Sequence, residues 1–442
     1  MIKKQMVKCI SLAMMVAASG TALAEKSSNT GPFAFSPISG SAYDATHDQN
    51  APWLIPNGFE QYLVSGEKSD MWGGTGLNIY ADGHDDWHDM NTVNENGPHA
   101  GRFLFRTHEV RNKPEGGAVS MVDLKTGQHI KLLQVADDPE TENYDGYNAL
   151  DGIRWTPWGS MLFAEETTGG RLFEVMFEYD ENNLPTQAKV FDRPAVGRLA
   201  HEGIDIDSQG NIYVVDEFRG QRDGEGGGIY KFVPRTFGDL SQGELYVLKV
   251  DTNDAEALGQ AEWVGPIDPA TARQSGTAAG GAKYNRPEDL EIIGETLYVA
   301  ITEGTYAAGS QNYDGRVISV DLESLQVKNF VMPGINVPVE QENLKISGLD
   351  NPDNLGETPD GKLIIIEDNK PSDIWIAGKD HNGDGYADTV ELFASLTDPK
   401  AEGTGIYFGK DPHTLFVNIQ HSVNEDGDGT WAIRKLQNKK RK

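Results

Sequence analysis

A short unit recurs six times along this chain, and every copy closes on a residue able to bind a metal. The copies run from Gly101 to Glu109, Gly159 to Glu166, Gly210 to Glu217, Gly294 to Glu303, Gly361 to Asp368 and Thr414 to His421. Each opens on a turn residue, passes through an apolar run such as Ile212-Tyr-Val-Val215, and ends on Glu, Asp or His. An apolar run of that length between turn signals reads as a strand buried on both faces. A unit repeated at intervals of roughly fifty residues calls for a solenoid or a propeller. In a radial arrangement the acidic strand ends converge on one axis. Carboxylates stay charged side by side there only if a cation neutralises them.

A second acid recurs a few residues upstream of most of these strands, in Leu150-Asp-Gly-Ile, His201-Glu-Gly-Ile, Pro287-Glu-Asp-Leu, Pro352-Asp-Asn-Leu and Ala401-Glu-Gly-Thr. It places Asp151, Glu202, Glu288, Asp353 and Glu402 at the entry to the inner strand, while Glu109, Glu166, Glu217, Glu303 and Asp368 stand at its end. Acids beside turns often only cap and solvate loops. Their recurrence at one position of an apolar unit points instead to a multi-ligand metal centre on the axis.

Each unit is followed by a partner strand, often after Gly-Gly, as at Gly116, Gly169 and Gly227. The expected fold is all-β, a six-bladed β-propeller over residues 56–437 with an inserted loop at 253–285 between blades three and four. No amphipathic helical run accompanies the strands, which removes the α/β alternatives. Residues 25–55, rich in Ser, Asn, Gly and Pro, read as an irregular arm, and the basic residues 438–442 as a tail.

The first 24 residues combine Lys3-Lys4, a short apolar core and Ala22-Leu-Ala24, the pattern of a Sec-type signal peptide directing export to the periplasm or beyond. Cys9, the one cysteine, lies inside it. The remaining chain therefore has no thiolate, and a metal site must be built from oxygen and imidazole, which favours hard cations such as calcium. Formal net charge is −30, and losing the three lysines of the signal takes it to −33. Such a chain offers no broad basic face to nucleic acid or anionic membrane. No later apolar stretch is long enough to span a bilayer. A monomer is expected.

Asp380-His-Asn-Gly-Asp-Gly-Tyr-Ala-Asp-Thr-Val-Glu391 matches a calcium loop throughout. Its ligands are Asp380, Asn382, Asp384, the Tyr386 carbonyl, Asp388 and Glu391, with Gly385 at the sharp turn. Strand-like flanks make it a hairpin loop with a structural ion. His84-Asp-Asp-Trp-His88-Asp reads as a solvated polar loop.

Thr107-His-Glu109, Thr156-Pro-Trp-Gly159 with Glu165-Glu166, Arg198-Leu-Ala-His-Glu202, Asn285-Arg-Pro-Glu288, Pro352-Asp-Asn-Leu through Glu367-Asp368, and Gln420-His421 occur in that order. The set resembles the PhoX-type alkaline phosphatase family. The resemblance implies a six-bladed propeller whose axial metals, calcium and iron, hydrolyse phosphomonoesters. By motif match Glu202 and Glu288 become central metal ligands, Arg286 the phosphate grip, and Glu367 and Asp368 calcium ligands. Such a cluster polarises phosphoryl oxygens and generates an oxide or hydroxide nucleophile. The chain departs from the family in placing Asp151 where the family's iron-ligating cysteine falls, and segment 132–153 holds no lysine or arginine. Calcium is then the expected cofactor, with Fe3+ or another metal as the alternative at the central site.

Two other functions use the same residues. One is a calcium-dependent lactonase or esterase with an aspartate or a histidine as base, His108, His201 and His421 being the histidine candidates, and the other a non-catalytic calcium-binding propeller.

Overall fold

The computed structural model describes residues 31–67, 86–141, 144–219, 227–252, 256–304, 315–424 and 427–437. The signal peptide at 1–24, His84 and the tail at 438–442 lie outside them.

All six repeated runs form strands: Phe103–His108, Met161–Glu165, Ile212–Val215, Thr296–Ile301, Leu363–Glu367 and Thr414–Gln420. They are second strands, not innermost ones. The residues read as their entry form the first strand of each antiparallel meander: His88–Val93, Leu150–Trp155, Ile204–Ile206, Pro287–Ile293, Pro352–Glu357 and Glu402–Phe408. The expected order was therefore one strand short, because these segments are too polar to read as strands. They are polar because they line the axis. Each first strand neighbours the next, and the sixth returns to the first, closing a ring.

Side chains tie this ring where no sheet ladder does. Trp155 N–H donates to Thr92 Oγ1 at 3.1 Å, Ile292 N–H to Asp205 at 2.6 Å, and Leu355 N–H to Asp289 at 2.8 Å. Gly405 N–H donates to Asn354 Oδ1 at 2.6 Å, and Thr404 Oγ1 to the His88 carbonyl at 2.9 Å. Arg154 and Asp205 complete the belt at 2.7 Å. Buried backbone groups that lack a ladder partner need such bonds.

Six apolar clusters fill the seams between successive meanders. Phe103 and Phe105 face Leu150 and Phe163 across one seam, whereas Leu104 faces Phe416 across another. Neighbouring residues of one strand thus pack into different seams, which is why the runs are apolar without alternation.

Both chain ends complete the last meander, where Phe59–Gly66 pairs with Gly429–Lys435. The arm ahead of it is irregular but anchored. Phe33 and Phe35 pack with Phe59 and Phe393, and Trp53–Leu54 adds to Val390–Leu396. The described part of the insertion between the third and fourth repeats, from residue 256 on, holds a strand and a helix. Gly259–Ile267 bridges Asp239–Val250 and Gln326–Val331, merging two meanders into one nine-stranded sheet. The short helix Ala272–Ala278 follows, and its Arg273 forms a buried two-pronged pair with Asp216 at 2.5 and 2.7 Å.

Candidate metal centre

One acid per meander enters the axial cavity, Asp89, Asp151, Glu288, Asp353 and Glu402 from the first strands and Glu202 from the segment just before Ile204–Ile206. All are buried except Glu402, which is partly so. In four meanders a recurrent backbone device aims the acid. Trp87, Ala149, Arg286 and Asn351 each stand two residues before it with positive φ of 43°, 47°, 53° and 42°. The strand register then slips across the acid itself, between His88 and Asn91, Leu150 and Ile153, Pro287 and Leu290, and Pro352 and Leu355. A left-handed residue followed by a bulge turns a side chain off the sheet face. The glycines after the acids have their own reason. A Cβ on Gly152 would meet the Glu202 carbonyl oxygen at 1.8 Å, and one on Gly203 would meet Asp289 at 2.5 Å. Only glycine lets neighbouring acid-bearing strands approach so closely.

The strand-end acids form an outer tier. Backbone N–H groups of Glu109, Glu166, Glu217 and Asp368 donate to the carbonyls of Trp87, Ala149, Ala200 and Asn351. Glu109, Glu166, Asp368 and His421 line the cavity, and Glu217 adjoins it through its 2.8 Å bond to Arg286. Glu303 does not join them. After the fourth second strand the acid falls one residue further along, so Thr302 takes its place against Arg286 and Glu303 pairs with Arg219. A slip of one residue sends a strand side chain to the opposite face. Glu367 also turns away, accepting from the Asp350 N–H at 2.8 Å and the Trp375 indole at 3.0 Å inside its meander.

Three members of the sequence-read set converge most tightly: one oxygen each of Glu202, Glu288 and Asp353 lies within 4.8 Å of the others. Burial, reinforced by neighbouring carboxylates, raises Asp89, Asp151, Glu202, Asp353 and Glu402 well above the usual range, and Glu288 to about 7. Asp151 Oδ1 and Glu202 Oε2 are buried without a hydrogen-bond partner among the described residues. Buried carboxyl groups crowded in this way, with oxygens left unpartnered, fit a cation that would favour their ionised form, and the donor set is oxygen.

Asp89, Arg111 and Thr404 also line the cavity, whose volume is about 230 Å3, and the repeat pattern missed them. Asp89 is the sixth member of the inner tier. It belongs to His88–Val93, so that part of the supposed polar loop is a buried strand. His88 stands opposite His108, and with Asp86 they bring three ligand-type atoms within 4.8 Å. His108 is already engaged, with Nδ1 on the Asp86 carbonyl and Nε2 on Ser120, both at 2.8 Å. Of the histidines proposed as bases, His108 and His201 are fully buried away from the cavity. Burial depresses them to about 3 and about 4, and His201 bonds the Gly197 carbonyl.

Arg286 is held by Glu217 at 2.8 Å and Glu288 at 2.6 Å, with Asp368 at 3.8 Å. Burial opposes its charge, yet Glu288, Glu217 and Asp368 outweigh that and raise its pKa. Glu166 and Glu217 share a hydrogen bond. Burial and that bond raise Glu166 well above its usual range, whereas Glu217, despite burial, is lowered by Glu166 and Arg286.

The calcium-loop segment lies apart from the axis, between Asp373–Ala377 and Val390–Leu396. Asp380 accepts from the N–H groups of Gly383 and Gly385 at 2.7 and 2.8 Å, Asn382 from Asp384, and Asp384 from Tyr386.

A family model described as alkaline phosphatase PhoX matches residues 147–422. The structure resembles Pseudomonas fluorescens PhoX in complex with vanadate, a transition state analogue, with a TM-score of 0.64 and 17% identity. The match covers 92% of this chain and 98% of that one. The PQQ-bound aldose sugar dehydrogenase of Streptomyces coelicolor is more distant, with a TM-score of 0.41, 12% identity, and coverage of 86% and 99%. Curated relatives include the macrolide export ATP-binding/permease proteins MacB of Neisseria gonorrhoeae and Neisseria meningitidis, 26% identical over 193 residues, or 44% of this chain. The match spans about a quarter of their length. No helix among the described residues is long and apolar enough to cross a membrane.

Proposed function

The chain belongs to the alkaline phosphatase PhoX family, and on that premise we propose that it is an exported, monomeric phosphomonoesterase whose metals occupy the axial cavity. One observation carries this reading: a closed ring of oxygen donors with a guanidinium, Arg286, fixed at its edge. Asp89, Asp151, Glu202, Glu288, Asp353 and Glu402 would hold the inner ions, and Glu109, Glu166, Glu217 and Asp368 the outer ones. An all-oxygen set suits calcium, and Fe3+, also a hard cation, is the alternative at the inner tier. When bound, the ions supply Lewis-acid polarisation of a phosphoryl oxygen and activation of a water-derived nucleophile.

Arg286 binds the phosphoryl group. Glu217 and Glu288 occupy its Nε and Nη2 sides and lock the guanidinium plane. Nη1, 3.8 Å from Asp368, is left to donate to a non-bridging oxygen. The left-handed backbone at Arg286 aims it at the axis. The loop from Asp380 to Glu391 holds a further, structural calcium, and residues 1–24 are removed on export.

Hydrolysis of p-nitrophenyl phosphate at alkaline pH, with and without chelator, tests the reading. Absence of metal-dependent turnover sinks it, and metal analysis of the purified protein distinguishes calcium from iron.

A further inference from the structure

The insertion reaches Arg286 through three consecutive residues, Asp216, Glu217 and Phe218, which follow the strand Ile212–Val215. Asp216 is fully buried and accepts from the Ala200 N–H at 2.9 Å and from both prongs of Arg273. Two residues on, the Phe218 ring lies against the same guanidinium, whose carbon is 3.8 Å from the ring centroid. Arg273 thus grips the segment on either side of Glu217. Glu217 accepts from Arg286 Nε at 2.8 Å, and the Phe218 carbonyl accepts the Arg286 backbone N–H at 3.1 Å. Both bonds therefore depend on where the gripped segment lies. Arg286 stands at a φ of 53°, a conformation that a non-glycine residue keeps only where its neighbours determine it. Arg273 itself is not among the residues lining the axial cavity, and its side chain is 6% exposed. Its helix is moored to the third meander: Ala272 packs in one cluster with Val196, Leu199 and Tyr230, and the Arg198 N–H donates to the Pro269 carbonyl at 2.9 Å. Burying a guanidinium is costly, and an apolar side chain would cover this face at less expense. What the arginine adds is direction, because one rigid fork sets a carboxylate and a ring together.

Resting on the phosphatase reading, we propose that Arg273 is a positioning residue for Arg286: it fixes the segment from Asp216 to Phe218, so that Glu217 and the Phe218 carbonyl hold Arg286 with Nη1 turned to the phosphoryl group. The insertion then sets phosphate affinity from outside the cavity, touching neither substrate nor metal.

Arg273→Met alone would strand the Asp216 carboxylate, so the test combines it with Asp216→Asn, which keeps an oxygen for the Ala200 N–H. Kinetics with p-nitrophenyl phosphate, inhibition by inorganic phosphate and metal content are measured on the metal-loaded protein. The double variant is expected to raise KM and the phosphate inhibition constant by about threefold to thirtyfold, with metal content unchanged. In an Arg286→Ala background the same pair of substitutions should change neither constant, because the group it positions is gone. Wild-type constants in the folded, metal-loaded double variant overturn the proposal. An equal loss in the Arg286→Ala background overturns it as well, since Arg273 then acts elsewhere than through Arg286. If the double variant does not fold, Phe218→Leu decides, because it keeps the ion pair and removes the ring: a loss in the same direction is expected, and wild-type constants overturn the proposal. A wild-type protein that neither binds phosphate nor turns over shows instead that the phosphatase reading has failed, and the positioning role falls with it.

Discussion

The backbone N–H of Thr302 donates to the carbonyl oxygen of Arg286 at 2.9 Å, in the place where Glu109, Glu166, Glu217 and Asp368 bond their own partners. At this meander the ring exchanges an acid for a hydroxyl in the outer tier and sets an arginine two residues before the inner acid. The repeat thus yields a carboxylate cup with a guanidinium built into its wall at this meander.

Arg286→Ala is expected to lower kcat/KM for p-nitrophenyl phosphate by about a hundredfold to a thousandfold, as when one preorganised donor to a charged transition state is removed. Arg286→Lys restores charge without the fork and should recover a minor part. Undiminished kcat/KM in the alanine variant removes the residue from the reaction.

Chelation should reverse the pH dependence of stability. In the metal-free protein Glu288 titrates at about 7, with burial the leading cause, whereas an unfolded glutamate titrates near ~4.3. Between those values the folded form holds more protons, so metal-free stability falls as pH rises through this window. Thermal unfolding after chelation should therefore show a higher midpoint at about pH 5.5 than at about pH 8. Added calcium requires the ionised form and should invert the order. Equal midpoints in the chelated protein would contradict the coupling.

Gly152→Ala tests the close approach of the acid-bearing strands. Its Cβ would lie 1.8 Å from the Glu202 carbonyl oxygen. The strands must separate, and a loss of several kcal/mol is expected, roughly 3 or more, with weakened calcium retention. Denaturant titration and metal analysis read both effects, and a wild-type profile would show that the ring yields more easily than its packing implies.

These glycines also explain how much of the site could be read beforehand. Asp151, Glu202 and Glu402 announce themselves because each precedes a glycine. Asp89 is followed by Met90 and preceded by His88, so nothing local separates it from a polar loop, although it occupies the same station on its strand. Glu303 carries the expected signal yet misses the cavity, since a one-residue difference in strand end leaves no mark in composition. Glu367 and Asp368 are adjacent acids of which one faces the axis and one a tryptophan, a choice set by strand register. Arg111 lies outside any repeated position, and only the folded turn brings it to the rim.

Glu391→Gln should remove one bound calcium and lower the melting midpoint by a few degrees without altering kcat, because the loop lies apart from the axis. Calcium stoichiometry unchanged from wild type would exclude the loop as a site.

Asp216→Ala leaves the buried Arg273 guanidinium without its carboxylate. A loss of about 3–5 kcal/mol is expected. Asp216→Ala with Arg273→Met should recover much of it, as measured by denaturant unfolding; no recovery would place the cost elsewhere than the stranded charge.

Phe59–Gly66 and Gly429–Lys435 join segments distant in sequence in one sheet, and His88–Val93 meets Glu402–Phe408 across the seam between that sheet and the first. Asp89 and Glu402 are therefore strangers until the last strand is in place. A partly synthesised or clipped chain holds arcs of the carboxylate ring but never its circumference. The full circle of donors thus exists only once the last sheet has closed.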